Sequence, residues 1–327
     1  MPPGPPGSIA WTYVASNENN LPYSMWAPMG FTGTEYVALT YCEQPPSGVS
    51  ELWSSSDGLV WSSEEIPCDT SLVPVGESVF RTKGHDEPDV FFKEGDADWT
   101  EVRLLVSDPD GGFLHPSDSI WELDDYSLLF DPDFVLWEGF QGYVAWVFEF
   151  DDQLISYCSA PNQDFSRLRE GFRAYRTQDN STWDEIAAPP FYEQGFIHGS
   201  VNGSLTRSIF AHQDSTAIAV LSNGQETRMW RTVDGTQWDD VTPAQLGVGG
   251  IWAGGDFWVQ GLELWDPSAR SLDFLISTDG LDWKQANVPD AYREFRGTVR
   301  VAGNKIFVSG PEGLLVGAYT PETTDSR

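Results

Sequence analysis

Four aspartates, Asp57, Asp179, Asp234 and Asp279, recur in one local setting. Each has a Ser or Thr two residues earlier (Ser55, Thr177, Thr232, Ser277), a Gly or Asn directly after it (Gly58, Asn180, Gly235, Gly280) and a Trp four residues later (Trp61, Trp183, Trp238, Trp283). A carboxylate next to a hydroxyl can move protons, or it can accept the backbone N–H groups that a tight turn leaves unpaired. The following residue favours the second use. Gly and Asn tolerate positive φ, so Asp-Gly and Asp-Asn mark a β-hairpin turn, and the Trp opens the returning strand, where its ring packs between sheets. The spacing assigns these eight Asp and Trp residues to the turn and its packing rather than to catalysis.

Other side chains offer other chemistry. The stretch 107–133 is rich in Asp, most densely at Asp108, Asp110, Asp131 and Asp133, and such a loop supplies the oxygen ligands that Ca²⁺ takes, although its spacing is not that of an EF-hand. Ca²⁺ is the one candidate cofactor, and no cofactor is required. Trp26 and Trp252 precede or occupy expected inner strands, where flat rings would stack on sugars. Arg81, Arg207, Arg296 and Arg300 lie on or near inner strands and would line a central pocket. These six residues are the candidate ligand-binding set. The four His residues are isolated, which leaves zinc chemistry unsupported, and neither a G-x-S-x-G nor a P-loop motif occurs. No residue stands out as catalytic.

The elements that must position these groups are strands. Upstream of each Asp hairpin lie two more strand candidates, as in Gly30–Glu35 followed by Tyr36–Tyr41, and Gly297–Asn304 followed by Lys305–Ser309. Four strands repeated every roughly 40–55 residues is the pattern of a β-propeller. A degraded copy spans Phe91–Trp99, with Gly95 at the Asp position. A sixth copy is split, with Gly313–Thr320 before the turn and Ile9–Ala15 after it. Trp11, Trp61, Trp99, Trp183, Trp238 and Trp283 then mark six blades of four antiparallel strands, with seven as the alternative count. The N-terminal strand closes the last blade and leaves no free edge. The expected layout is a Pro/Gly-rich linker at 1–8, a single all-β domain at 9–320 with insertions near 107–133 and 151–171, and a tail at 321–327. No helical period runs ten residues.

The hairpin motif resembles the Asp-box, or BNR repeat, of sialidases and other bacterial propeller proteins, in the shortened form S/T-x-D-G-x-x-W. That resemblance covers most of the chain as architecture and implies a sialidase-like propeller. In such proteins the motif lies on outer turns away from the ligand face. A sialidase would also need an arginine triad, a Tyr–Glu nucleophile pair and an acid/base Asp, and the Arg-Ile-Pro motif that usually supplies the first arginine is absent.

Composition narrows the function. Among 327 residues, 50 are acidic and 18 basic, a net charge of −32. Phosphate backbones and anionic lipid surfaces are repelled, so nucleic acid is excluded as a partner, and no apolar run is long enough for membrane insertion. Apolar residues at 40% are too many for a disordered acidic chain. Only four Lys, beside so many carboxylates, suits a surface adapted to high salt, and localisation is expected to be extracellular or at the cell surface, although residues 1–8 do not read as a signal peptide. Cys42, Cys68 and Cys158 permit one bridge at most, Cys42–Cys68, or three thiols. The sequence is read as a non-catalytic binding or scaffold module whose partner is a glycan or a protein. The alternatives are a glycoside hydrolase acting at the central pocket, and a structural subunit of a surface or filamentous assembly.

Overall fold

The computed structural model describes residues 7–15, 29–40, 48–67, 70–75, 78–83, 89–102, 120–123, 126–129, 135–137, 140–150, 153–159, 173–177, 184–194, 196, 200–201, 204–205, 210–213, 215–223, 225–246, 249–261, 272–295, 297–310 and 313–321. Their regular structure is nearly all β, in successive antiparallel sheets. The chain begins with β1 (Ser8–Ala15). A first sheet follows, β2 (Met29–Phe31), β3 (Tyr36–Leu39), β4 (Val49–Ser55) and β5 (Ser62–Pro67), then a second, β6 (Thr70–Val75), β7 (Ser78–Lys83), β8 (Asp89–Glu94) and β9 (Thr100–Val102). β10 (Ile120–Leu123) and β11 (Tyr126–Leu129) form a two-stranded ribbon. β12 (Val135–Trp137), β13 (Phe140–Phe150), β14 (Gln153–Ser159), β15 (Arg173–Thr177) and β16 (Asp184–Ile186) form a five-stranded sheet. A one-turn helix, α1 (Pro190–Glu193), and a ribbon of β17 (Ser200–Val201) and β18 (Ser204–Leu205) come next. The remaining sheets are β19 (Phe210–Gln213) to β20 (Thr216–Ser222), β21 (Thr227–Thr232) and β22 (Asp239–Asp240), and β23 (Gly250–Ala253) to β24 (Trp258–Gly261), β25 (Phe274–Ser277) and β26 (Lys284–Gln285). In the last sheet β27 (Thr298–Ala302), β28 (Lys305–Gly310) and β29 (Gly313–Thr320) are completed by β1, which pairs with β29 from Ser8↔Thr320 to Ala15↔Gly313.

Five sheets of four strands and one of five therefore stand among the described residues, beside the two ribbons. Residues 153–159 form β14, where the sequence reading expects a loop-like insertion; Leu154, Ile155 and Tyr157 are apolar enough to make a strand beside the long β13. Among the described residues the longest helix has four residues, and none is long and apolar enough to cross a membrane.

The residues fall into two compact units. One comprises 1–84, 89–101 and 249–327; the other comprises 85–88 and 102–248. In the first, the leading strands of consecutive sheets lie side by side, β6 next to β2, β2 next to β27 and β27 next to β23. Burial falls outward along the β2–β5 and β23–β26 sheets. β3 and β25 are buried at every residue, β5 at Ile66 alone. A strand covered on both faces reads as a continuous apolar run, as in Tyr36–Leu39 and Phe274–Ser277, whereas an outer strand needs one apolar face only. The core of this unit includes Phe257, Phe274, Val299, Ile306 and Leu315, each at most 1% exposed. In the second unit, Phe150, Ile155, Ala217, Ala219, Phe191 and Trp230 form the core.

Candidate functional site

The recurring Asp turn is described in three copies, at Asp57, Asp234 and Asp279. In each, one carboxylate oxygen accepts two successive backbone N–H groups: Leu59 at 2.8 Å and Val60 at 2.9 Å for Asp57, Thr236 and Gln237 at 2.8 Å for Asp234, Leu281 at 2.8 Å and Asp282 at 2.9 Å for Asp279. The hydroxyl two residues earlier donates to the same oxygen and accepts from the Gly N–H: Ser55 at 3.1 and 2.8 Å, Thr232 at 3.1 and 2.9 Å, Ser277 at 3.0 and 2.9 Å. The Gly takes φ of 68° at Gly58, 68° at Gly235 and 71° at Gly280, a conformation that other L-residues resist. Trp61 and Trp283 close the turn by donating Nε1 to the Gly58 and Gly280 carbonyls at 3.0 and 3.2 Å.

The electrostatics follow from this geometry. The Val60 and Leu59 N–H groups hold the Asp57 carboxyl below the usual range. For Asp234 and Asp279 burial opposes ionisation, but the N–H groups of Gln237 and Thr236, and of Asp282 and Leu281, outweigh it and both carboxyls are lowered. These are fixed anions turned onto their own backbone. They are poorly suited to exchanging protons near neutral pH.

The turn also docks onto a neighbouring sheet, through residues that no repeat in the sequence announces. Lys305 Nζ, at the start of β28, donates to the main-chain carbonyl of Asp57 and lies 4.8 Å from the Tyr36 ring centre. Gln153 Nε2, at the start of β14, donates to the carbonyl of Asp234 at 3.4 Å. In the degraded copy, Thr32 Oγ1, just after β2, donates to the carbonyl of Gly95 at 2.7 Å. An ammonium, an amide and a hydroxyl thus do one job, and what they share is position, each at a hairpin of the neighbouring sheet. Around Lys305, Tyr36 donates its hydroxyl to Asn304 Oδ1 at 2.9 Å, and burial pushes its pKa up to about 12. Burial draws the Lys305 ammonium down, against the pull of Asp57.

Of the six candidate ligand-binding residues, Trp252, Arg81 and Arg300 lie among the described residues, and each has internal partners. Trp252 is 7% exposed and belongs to the core cluster with Phe257, Val259 and Val299. Arg81 is enclosed between the rings of Phe91 (4.7 Å) and Trp99 (4.8 Å) and pairs with Glu64 at 3.6 Å. Burial lowers its pKa, partly offset by Glu64. Arg300, half-buried on β27, donates from Nη1 to the Val299 carbonyl at 2.7 Å. Trp26, Arg207, Arg296, the turn residues Asp179 and Trp183, and the candidate calcium ligands Asp108, Asp110, Asp131 and Asp133 lie outside the described residues, as do Cys42 and Cys68. Among the described residues no three His, Cys, Asp or Glu converge as metal ligands. Trp11 departs from the other motif tryptophans: it lies inside β1 and donates Nε1 to the Asn287 carbonyl of the neighbouring sheet at 3.0 Å.

The class these observations define is an all-β protein of repeated four-stranded antiparallel sheets, three of which carry an Asp-Gly turn between their third and fourth strands. The chain matches no protein-family model and no curated protein. Among solved structures it is similar to a protein of unknown function from Dyadobacter fermentans (12% identity, 96% of this chain and 99% of that chain, TM-score 0.45). It is also similar to the β-propeller domain of the Trilobed protease from Pyrococcus furiosus (11%, 82% of each chain, 0.44) and to a GH74 enzyme from Niastella koreensis (12%, 95% of this chain and 49% of that chain, 0.40).

Proposed function

We propose that this chain is a six-bladed β-propeller of the Asp-box, sialidase-like type, its last blade closed by β1, and that it acts as a non-catalytic binding or scaffold module for a glycan or protein partner. The observation that carries this reading is the use made of the repeated polar residues. In all three described copies the Asp carboxylate is spent on its own turn, and Lys305, Gln153 and Thr32 on docking a turn to the neighbouring sheet. Arg81 and Arg300 are likewise held by internal partners. The recurring chemistry of the chain builds a frame, and a frame of stacked sheets presents loops for recognition. A net charge of −32 fits export into a saline setting and favours neutral or cationic ligands over anionic ones.

A glycan array probed with and without Ca²⁺, with sugar release measured on the same glycans, tests the reading. Binding without release is expected, and a dependence on Ca²⁺ would point to the Asp-rich stretch 107–133. Sugar release would overturn the non-catalytic assignment in favour of a glycoside hydrolase. Neither binding nor release on any glycan would count against both.

A further inference from the structure

In the other four-stranded sheets the outermost strand follows its neighbour through a short connection, but β1 and β29, which pair along their length, stand at opposite ends of the described chain. β1 is held by strand pairing and by side chains seated in a groove. One wall is the edge of β29, where Trp11 stands opposite Gly317. A Cβ on Gly317 would lie 2.7 Å from Trp11 Cζ3 and 2.9 Å from Ile9 Cγ2, so the glycine is the floor of the Trp11 seat. The other wall is the β23–β26 sheet and the segment after it. Trp11 stacks on Phe274 with ring centres 5.9 Å apart and planes at 17°, and its Nε1 reaches the Asn287 carbonyl at 3.0 Å. Tyr13 stacks on Tyr292 at 6.2 Å and meets Phe295 edge-on at 5.9 Å. Residues 11 and 13 are two apart and share one face of the strand. The groove thus reads an extended segment twice, by main-chain pairing along eight residues and by aromatic side chains at alternate positions, the division of labour seen when a peptide adds a strand to a sheet.

We propose that this groove is a strand-acceptor site whose partner is β1 of a second copy of the chain, so that copies associate by exchanging β1. The exchanged strand makes the same contacts as the resident one, because its sequence is the same. Thirteen residues, 16–28, separate β1 from β2. Thirteen residues span at most roughly 45 Å, the upper limit on how far β1 can stand from β2. Because the resident strand is covalently joined to its own groove, it outcompetes the strand of another copy in dilute solution and gives way in concentrated solution, with short links placing the crossover on the order of millimolar. Donor strand and acceptor groove are different surfaces, so exchange closes as a reciprocal dimer or runs on as a chain of copies. The inference is independent of any ligand for the module as a whole.

The test uses the full chain with a site-specific protease sequence inserted within 16–28. After cleavage, β1 is held without a covalent link, and a fluorescein-labelled peptide of residues 7–15 is added and followed by anisotropy. The cleaved, folded protein is expected to take up the peptide and to bind a Trp11→Ala peptide at least about tenfold more weakly, the loss typical of an aromatic anchor. The uncleaved protein should bind the same peptide at least about a hundredfold more weakly, because its own strand competes at the tether's effective concentration. Gly317→Val in the cleaved protein should erase the preference for Trp11. Loss of the fold on cleavage, absence of peptide uptake, or equal uptake of both peptides overturns the proposal. For exchange between copies, the unaltered chain is refolded at about millimolar concentration and sedimented. Dimers or longer species are expected, and a single monomer boundary at every concentration refutes exchange.

Discussion

Gly235 and Gly95 allow the contribution of sheet-to-sheet docking to be separated from that of the turn itself. Both have positive φ, 68° and 61°, so replacing either by Ala forces an L-residue into the left-handed region, at about 1–2 kcal/mol. There the likeness ends. A Cβ on Gly235 would stand 2.6 Å from Phe150 Cε2 and 2.8 Å from Ile155 Cδ1, whereas a Cβ on Gly95 meets nothing within 4 Å. Carbon atoms in contact prefer about 3.5–4.0 Å, so the Phe150 ring would have to give way by about 1 Å. Phe150 is 1% exposed and Ile155 0%, which leaves no free space to receive it. Overpacking of this kind costs about 1–3 kcal/mol, and Gly235→Ala should therefore destabilise by about 2–5 kcal/mol in total, against about 1–2 for Gly95→Ala. In urea, with unfolding followed by tryptophan fluorescence, the midpoint should fall further for Gly235→Ala than for Gly95→Ala, by the equivalent of about 1–3 kcal/mol. Adding Phe150→Leu to Gly235→Ala removes the clashing ring edge and should return about 1 kcal/mol as a coupling energy. Equal effects of the two glycine substitutions, or zero coupling with Phe150→Leu, would refute the docking argument.

Further predictions concern the turn and its neighbours. Trp61→Phe breaks the bond to the Gly58 carbonyl, while Trp53→Phe in the same sheet removes a buried N–H that has no hydrogen-bond partner, so the first should cost about 1 kcal/mol more by urea denaturation. The Asp57, Asp234 and Asp279 carboxyls are lowered in the folded protein, so their stabilisation is complete above the unfolded value near 3.9 and is lost as pH falls through the folded values. Asp279→Asn should accordingly flatten the fall in urea midpoint between pH 5 and pH 2, and an unchanged slope would sink that account. Arg81→Met keeps the stem but removes the cation between Phe91 and Trp99; a loss of about 1 kcal/mol with a changed near-ultraviolet dichroism is expected, and Arg81→Lys should recover the charge but only part of the stacking.

The repeat was legible because its key residues act within a few positions of one another. Asp57, Gly58 and Trp61 meet through bonds spanning two or three residues, so their spacing is the geometry, and Trp11, Trp61, Trp99, Trp238 and Trp283 each fall in or beside a different sheet. What could not be read depends on the neighbouring sheet. Lys305, Gln153 and Thr32 share a role but no chemistry, since any donor of sufficient reach satisfies a carbonyl. Trp252 looks suited to stacking on a ligand when taken alone, yet the sheet packed against it brings Val299 and Val308 into the same core and buries the ring. Arg81 similarly reads as a pocket residue until Trp99, 18 positions away, covers it. Trp53 and Trp230 stand four residues before their Asp, where the third copy has Leu275, so the position asks for apolar volume and the indole N–H is incidental.

Charge on this frame is distributed in a way that makes salt a structural variable. Several basic groups are drawn into contacts, Lys93 on Glu35 at 2.7 Å, Arg228 on Glu226 at 2.9 Å and Arg293 on Asp290 at 3.1 Å, while the excess of 32 carboxylates must repel across the surface. Two like charges 10 Å apart in water repel by about 0.4 kcal/mol, and the screening length shrinks from about 30 Å at 0.01 M to about 3 Å at 1 M salt. Ten such pairs would amount to about 4 kcal/mol, so the urea midpoint at pH 7 should rise steadily from 0.01 to 1 M sodium chloride, where most single-site ion pairs would weaken. One local pair distinguishes screening from other effects of salt. Glu51 and Glu65 are directly opposite on β4 and β5, an arrangement that opposes pairing. Glu65→Lys turns that repulsion into attraction and should stabilise by up to about 1 kcal/mol at 0.01 M, with the gain gone at 1 M. A midpoint that is flat or falling with salt, or a gain from Glu65→Lys that persists at 1 M, would mean that the carboxylate surface is not what sets the stability of the frame.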